Sequence, residues 1–196
     1  MGNDVNLQKI FDKYRYDANI VTKSKAWFQQ QVTLLNLRNV NERQLFKEQK
    51  TVNKIVPGRL YMYYYDPKTK DTLPYYDKFP LVFPYEALSD GFIGLNMHYL
   101  PPFYRIQLMT RLMKFASNTK LNETTKIQYS WSLIAGIARF KIAEACIKRY
   151  LSNHVKSPFI EIPANEWHTA MMLPLQRFAK AGYAQVWKDS IQGRGM

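Results

Sequence analysis

The chain has 196 residues, of which 46% are hydrophobic and 15% aromatic, and it carries 28 Lys and Arg against 15 Asp and Glu, a formal net charge of +13. This length and apolar content suit one domain, or one domain with an appended arm, and suffice for a hydrophobic core. No apolar stretch reaches about 18 residues, which excludes a membrane-spanning helix. The charge favours nucleic acid, an anionic surface or an acidic protein face as partner, with a solubilising surface as the alternative.

The N-terminal segment and the cysteine content set the expected compartment. MGNDVNLQKIF has no charged segment followed by an apolar run, so we expect no signal peptide. Cys146 is the single cysteine, so no intrachain disulfide can form. Its apolar helical context indicates a small core residue rather than a nucleophile. We expect a reducing compartment.

Residues 1–56 read as a basic helical arm. They carry ten Lys and Arg against five Asp and Glu, and from Asp4 to Lys50 they contain neither Gly nor Pro. Apolar residues recur at helical spacing, and Ser24 is placed to cap the second of two predicted helices. The repeating positions are Leu7, Ile10, Phe11 and Tyr14, then Ala26, Trp27, Gln30 and Leu34. The compact domain is predicted to follow, over residues 57–196.

The middle of the chain, residues 57–104, is nearly neutral and reads as β structure. RLYMYYY is rich in aromatic residues, which fit a pleated surface, and DPKTKD supplies turn residues. FPLVFPYEA is a second strand, predicted to lie at an edge or to be interrupted because Pro80 and Pro84 lack backbone donors. GFIGLNMHYL is the third. We therefore predict a small three-stranded antiparallel β-unit at about residues 57–100, in an α+β fold.

The remaining sequence, about residues 101–190, is predicted to form a C-terminal helical layer. Two prolines open the helix FYRIQLMTRLMKFA, whose buried stripe is Ile106, Met109, Leu112 and Met113. KIQYSWSLIAGIARFKIAEACIKRYLSN reads as one long helix, and Gly136 with its neighbouring alanines indicates close approach to another helix. FIEI is a short strand that Pro163 ends, and a short helix follows it.

The tyrosine cluster admits three interpretations. Strand side chains alternate, so Tyr61, Tyr63 and Tyr65 are predicted to share one face. Met62 and Tyr64 would make the other face apolar or aromatic as well, which favours packing within the chain or against another subunit. Stacking on nucleic-acid bases is the third alternative. We assign these three tyrosines to packing or an interface, together with Tyr75 and Tyr76.

The sequence contains no recognisable catalytic signature. It lacks a Gly-rich phosphate loop, and its three histidines have no Cys or His neighbour at ligand spacing. Asp66, Asp71 and Asp77 have the chemistry to hold a metal, but their surroundings of Pro, Lys and Tyr indicate turn residues. No nucleophile has an identifiable base. We therefore predict a non-enzymatic protein without a cofactor or metal.

Two sets of basic residues are candidate contacts to DNA or to other subunits. Each set is predicted to lie on one helix, and side-by-side packing would join them into a surface that binds phosphates without reading sequence. The alternative is pairing with acidic faces of neighbouring subunits. The residues are Arg105, Arg111 and Lys114 on the first helix, and Arg139, Lys148 and Arg149 on the second.

Three stretches of the sequence resemble a known family. They are PGRLYMYYYDPKTKDTLPYYDKFPLVFPYE, GFIGLNMHYLPPFYRIQLMTRL and FIEIPANEWHTAMMLPLQRFAKAGYAQVWKDS. They are similar to small virion or assembly proteins of T4-type contractile-tailed bacteriophages, a description that includes DNA end protectors. The resemblance covers roughly residues 56–115 and 158–190, and the basic arm lies outside it.

The resemblance implies a virion component at the head–tail junction or in the tail or baseplate. Such a protein would contact other virion subunits within a larger oligomeric assembly, perform no catalysis, and contact packaged DNA. It would be found in the virion, and in the host cytoplasm during assembly. The alternative is a sequence-nonspecific nucleic-acid-binding accessory protein in phage replication, recombination or packaging.

Overall fold

The structure, a computed structural model, describes residues 50–116, 118–172 and 175–193. The two helices predicted for the basic arm lie outside these residues. The predicted boundary between the arm and the compact domain, at residue 57, therefore stays a prediction. Thr51 and its two neighbours lie before this boundary and form a strand of the main sheet.

One six-stranded antiparallel sheet organises the described part of the chain. Its order is β1-β7-β2-β4-β5-β6, and two further strands, β3 and β8, pair separately. The strands of the large sheet are β1 Lys50–Val52, β2 Leu60–Met62, β4 Leu81–Leu88, β5 Gly91–Asn96, β6 Ile147–Leu151 and β7 Phe159–Ile162. The small pair is β3 Tyr76–Asp77 with β8 Phe178–Ala179.

The α+β class is confirmed, whereas the three-stranded unit is wrong. Segments on both sides of the predicted unit complete the sheet: β6 pairs with β5, and β7 lies between β1 and β2. The physical reason is that a three-stranded unit leaves unpaired backbone groups along both edges. The segments at 147–151 and 159–162 pair with the outer edges of β5 and β2 and satisfy those groups.

Strand β4 lies inside the sheet, between β2 and β5, so its prediction as an edge strand is wrong. Its predicted interruption is present, because the register with β5 shifts between Pro84 and Glu86. Proline is tolerated within a sheet at such bulges, where the ladder is already irregular. The Pro84 carbonyl accepts a hydrogen bond from the Gly58 N–H at 2.9 Å.

Within residues 50–193 as described, four α-helices pack on one face of the sheet region: α1 Pro102–Ala116, α2 Glu123–Ile137, α3 Trp167–Met172 and α4 Tyr183–Gln192. The same part of the chain contains 3₁₀ helices at Met97–Tyr99, Lys141–Cys146, Ser152–His154 and Ala164–Glu166. Helix α1 begins at the predicted proline pair, with Met109 and Leu112 buried as predicted. Asn122 caps α2 by accepting the Thr125 N–H at 2.8 Å.

The long helix predicted from residue 126 to residue 153 is wrong beyond Ile137. The chain continues as the 3₁₀ helix Lys141–Cys146 and then as strand β6. Local spacing suits a helix there, but pairing with β5 buries Tyr150 and outweighs that preference. Cys146 is buried as predicted, and burial raises the pKa of its thiol to about 12.

The two faces of the sheet carry separate hydrophobic clusters. Leu60 and Met62 face the helices in the larger cluster, whereas Tyr61, Tyr63 and Tyr65 share the opposite face in a smaller one, as predicted. Tyr63 stands at the centre of the smaller cluster. Its ring makes edge contacts with Tyr65, Phe92, Tyr150 and Phe159, with centroid distances of 5.0 to 6.3 Å.

We expect Gly136→Ala to raise the free energy of unfolding by about 0.5–1 kcal/mol, because Ala is the better helix former. Gly136 lies in the last turn of α2, and a Cβ built there meets no atom of the described residues within 4 Å, so these residues do not make the close helix contact predicted at this position. Urea unfolding measures the change. Loss of stability would show that a neighbour occupies that space.

Candidate nucleic-acid site

A cleft of about 510 Å³ lies between the β3 region and strands β5 and β6. It brings together five residues singled out from the sequence: Tyr65, Tyr75, Tyr76, Lys148 and Arg149. Its other lining residues come from the turn after Tyr65 and from both sides of the sheet edge. They are Pro67, Lys68, Thr69, Leu73, Pro74, Asp77, Asp90, Asn96, Tyr99, Tyr150 and Leu151.

The floor of the cleft is a buried polar network centred on Asp77. One Asp77 oxygen accepts the backbone N–H groups of Phe79 at 3.1 Å and Arg177 at 3.2 Å. The other lies 2.6 Å from His98 Nδ1 and accepts Asn96 Nδ2 at 3.3 Å. Burial alone would raise the pKa of Asp77, but these donors outweigh it and hold that pKa below its usual value. Asp77 is thus a structural acceptor that ties β3 to β5 and β8.

His98 is neutral near pH 7 in this environment. Burial lowers the pKa of its imidazole, and the nearby Arg105 guanidinium acts in the same direction against the attraction of Asp77. Its Nε2 has no hydrogen-bond partner within the described part of the chain. A neutral ring that donates from Nδ1 to Asp77 satisfies this geometry, because protonation would add a buried N–H without an acceptor.

We expect the free energy of unfolding to fall as the pH is lowered from about 7 to 5. The pKa of His98 is depressed in the folded state, so the unfolded chain binds the additional proton below about pH 6.5 and is favoured there. The stabilisation from Asp77 is lost only below about pH 4, since its folded pKa is also depressed.

Urea titrations at pH 7, 6 and 5 measure this dependence. His98→Gln keeps an N–H donor beside Asp77 and removes the titrating group, so it should flatten the decline between pH 7 and 5. A wild-type stability that stays constant over this range would contradict the assignment of a neutral buried His98.

Lys148 places a positive charge inside the cleft. Its ammonium lies 4.4 Å from the centre of the Tyr99 ring, and no carboxylate within the described ranges lies at ion-pair distance. Burial lowers the pKa of this ammonium, because leaving water costs the charged form. Arg149 differs, since its Nη2 pairs with Asp90 at 2.7 Å. Lys68 adds a further charge at the exposed rim.

The rim of the cleft is held in place by Lys180. Its ammonium donates to the backbone carbonyls of Lys70, Asp71 and Leu73 at 2.6 to 3.0 Å. The Lys180 backbone is left-handed, with φ of 70°, beyond the end of β8. A side chain from the C-terminal segment therefore fixes the loop that joins β2 to β3, so the cleft is formed before any ligand arrives.

The predicted joint basic surface of two helices is corrected by the structure. Arg105 is only 1% exposed, and its guanidinium donates to the carbonyls of Leu100 and His98 at 2.6 and 3.0 Å. Burial lowers its pKa to about 9. Lys148 and Arg149 lie on β6 rather than on a helix. Arg105 therefore stabilises the fold and is not a surface contact.

The remaining predicted basic residues lie away from the cleft. Arg111 and Lys114 are on α1, half-buried and exposed respectively, and Arg139 is exposed just after α2. None of them lines the cleft. Their contact with DNA or subunits stays a prediction.

Sequence reasoning missed four residues that shape this site: Lys68, Asn96, Tyr99 and Lys180. Asn96 and Tyr99 were read only as part of a strand, and Lys68 only as part of a turn. The detectable signal was the turn DPKTKD beside paired tyrosines, which joins charge to aromatic residues. Asp77 was read as a turn residue, and its buried pairing with His98 depends on tertiary contacts. The described residues contain no group of three or more potential metal ligands.

The fold and the cleft define a basic α+β protein with a tyrosine-lined cleft that contains Lys148. The family model described as Phage T4 terminal DNA protecting protein matches residues 6–190, and the chain belongs to this family. The resemblance stated above is confirmed. The match also includes most of the basic N-terminal segment, which the resemblance had left out. No curated protein and no solved structure matches the chain.

Within the residues described, no helix has both the length and the apolar character needed to cross a bilayer.

Proposed function

We propose that this protein binds the ends of phage DNA without reading sequence and shields them sterically from exonucleases. The observation that carries the proposal is the half-buried Lys148, which has no carboxylate partner in the described ranges and lines a tyrosine-walled cleft. Such a cation gains an anionic partner when a phosphate enters, and aromatic walls accept any base. Membership of a terminal DNA protecting family supports the same function.

The action is proposed to be non-enzymatic. A bound end is protected because the protein occupies it, which requires affinity but no bond cleavage. Asp77 and His98 are the acid and base that lie closest to each other beside the cleft. Asp77 already accepts hydrogen bonds from His98 and from two backbone N–H groups, which supports a structural role for the pair.

We further propose that the protein is a virion component, at the head–tail junction or in the tail, and that it contacts other subunits. A protein that protects the ends of packaged DNA would travel with them in the particle. Exposed Tyr64, Tyr129 and Trp131 offer aromatic area of the kind found at protein interfaces. Mass spectrometry of purified virions tests this placement, with a fixed copy number per particle expected and absence from particles as the contrary result.

The second candidate is a nucleic-acid-binding accessory protein of phage replication, recombination or packaging. The net charge of +13 favours it, because such charge attracts any DNA, with or without ends. Presence in infected cells together with absence from virions would support this candidate.

Fluorescence anisotropy with an end-labelled linear duplex, competed by linear or covalently closed circular DNA of the same sequence, tests end binding. Linear competitor should displace the probe at a concentration about tenfold lower than circular competitor, equivalent to about 1.4 kcal/mol. The affinity should fall with salt, at about 0.9 in the log–log slope for each phosphate contacted. Equal competition by circles would overturn end binding and leave general DNA binding.

A further inference from the structure

The positive charge of Lys148 lies in the interior of the cleft, where only a ligand of limited size can reach it. Lys148 is half-buried above the Tyr99 ring, whereas the neighbouring Arg149 is already paired with Asp90 at the exposed sheet edge. Lys148 therefore offers its charge inside the cleft, whereas Arg149 is paired at the edge and Lys68 lies at the exposed rim. A phosphate must enter the cleft to reach Lys148.

The volume of the cleft suits a single nucleotide. About 510 Å³ falls within the range of roughly 300–1,000 Å³ that is usual for small-ligand sites. The phosphates of an intact duplex are flanked by neighbouring nucleotides on both sides. Only the tip of a strand presents a phosphate with one free side, so the tip fits a recess that the body of the duplex does not enter.

An aromatic side chain is placed to receive the base. Tyr76 is half-buried on β3, where it pairs with Ala179 of β8, and it lines the cleft. The deeper tyrosines of the cleft are buried, and Tyr150 accepts a hydrogen bond from Asn96. Tyr76 is thus the wall residue with exposed ring area for stacking.

We propose that the cleft holds the terminal nucleotide of a DNA strand, with its end phosphate on Lys148 and its base against Tyr76. This inference rests on the proposed function and gives it a chemical basis for distinguishing ends. A terminal phosphate monoester carries a charge of about −1.5 to −2 at pH 7, against −1 for an internal diester. A half-buried cation therefore attracts it more strongly than it attracts an internal phosphate.

The experiment compares duplexes of one sequence that carry a 5′-phosphate, a 3′-phosphate or hydroxyls at both ends, with deoxynucleoside monophosphate as a fourth ligand. Anisotropy titrations should give about tenfold tighter binding for one of the two phosphorylated ends than for the hydroxyl end, as expected for one added charge-assisted hydrogen bond. Lys148→Met should abolish that preference. Lys188→Met, at an exposed position on α4, is the matched control and should keep it.

A second variant separates a binding effect from a folding effect. Tyr76→Leu should weaken binding to both kinds of end by about five- to tenfold, the scale of one lost base stack, and leave the preference for phosphate in place. Both cleft variants should retain cooperative urea unfolding. The monophosphate should compete weakly with duplex ends if the site takes a strand terminus, and strongly if it takes a free nucleotide.

Failure of the inference is distinguishable from failure of the proposed function. Preference for linear over circular DNA, combined with equal affinity for phosphate and hydroxyl ends, would overturn the inference and leave end binding intact. Tight binding of the monophosphate without any preference for DNA ends would overturn both the terminal-nucleotide assignment and the protecting function.

Discussion

Asp77→Ala should lower the free energy of unfolding by about 3–5 kcal/mol, because several buried donors would lose their acceptor at about 1–3 kcal/mol each. The substitution leaves four donors without their acceptor: the backbone N–H groups of Phe79 and Arg177, Asn96 Nδ2 and His98 Nδ1. The donors of Phe79, Asn96 and His98 are buried, so water does not replace their lost hydrogen bonds. Urea unfolding at pH 7 measures the loss.

Asp71→Ala is the control, because Asp71 is an exposed carboxylate six residues earlier in the same loop region. A change of no more than about 0.5 kcal/mol is expected for it, as for most surface substitutions. A comparable loss of stability in both variants would show that the removal of a negative charge, and not the loss of the buried hydrogen bonds, destabilises the Asp77 variant.

Tyr63→Ala should cost about 3–5 kcal/mol, the usual loss when a buried aromatic ring is removed from a core. Tyr63 is fully buried, and its ring contacts four other aromatic rings on the second face of the sheet. The cavity left behind cannot be filled by rings that are each fixed in their own contacts.

Tyr64→Ala is a matched control at the next position. Tyr64 is 45% exposed, although its ring packs at 4.6 Å from Phe79, so its loss should cost about 1 kcal/mol or less. Thermal and urea unfolding of the two variants gives the comparison. If Tyr63→Ala keeps the stability of the wild type, the second cluster is not a core and its tyrosines must serve an interface.

Features that depend on local pattern could be predicted from the sequence. The alternation in RLYMYYY places three tyrosines on one face, and the proline pair places the start of α1. Features that depend on distant pairing could not. The apolar residues around Ile147 follow helical spacing, yet they form β6 because β5 offers an unsatisfied edge.

The residue types of the candidate site could be predicted from the sequence, but their arrangement in space could not. Tyrosines and basic residues were identified as separate groups, and the cleft joins members of both, such as Tyr76 and Lys148. The prediction that Arg105 is a surface contact is wrong for a clear reason. Its position on the helix borders the buried stripe, and three backbone carbonyls accept hydrogen bonds from its guanidinium, which no sequence pattern reveals. Charge alone therefore does not identify a contact residue.

The most direct measurement of the central claim is protection of a linear duplex from a double-strand exonuclease, with an endonuclease acting on the same DNA as reference. We predict that the wild-type protein slows terminal degradation at least about tenfold at saturation, leaves endonuclease cutting unchanged, and loses protection with Lys148→Met but not with Lys188→Met. Equal inhibition of both nucleases would contradict the account, because coating of the whole duplex would then explain the protection. Full protection by Lys148→Met would contradict the assignment of the cleft.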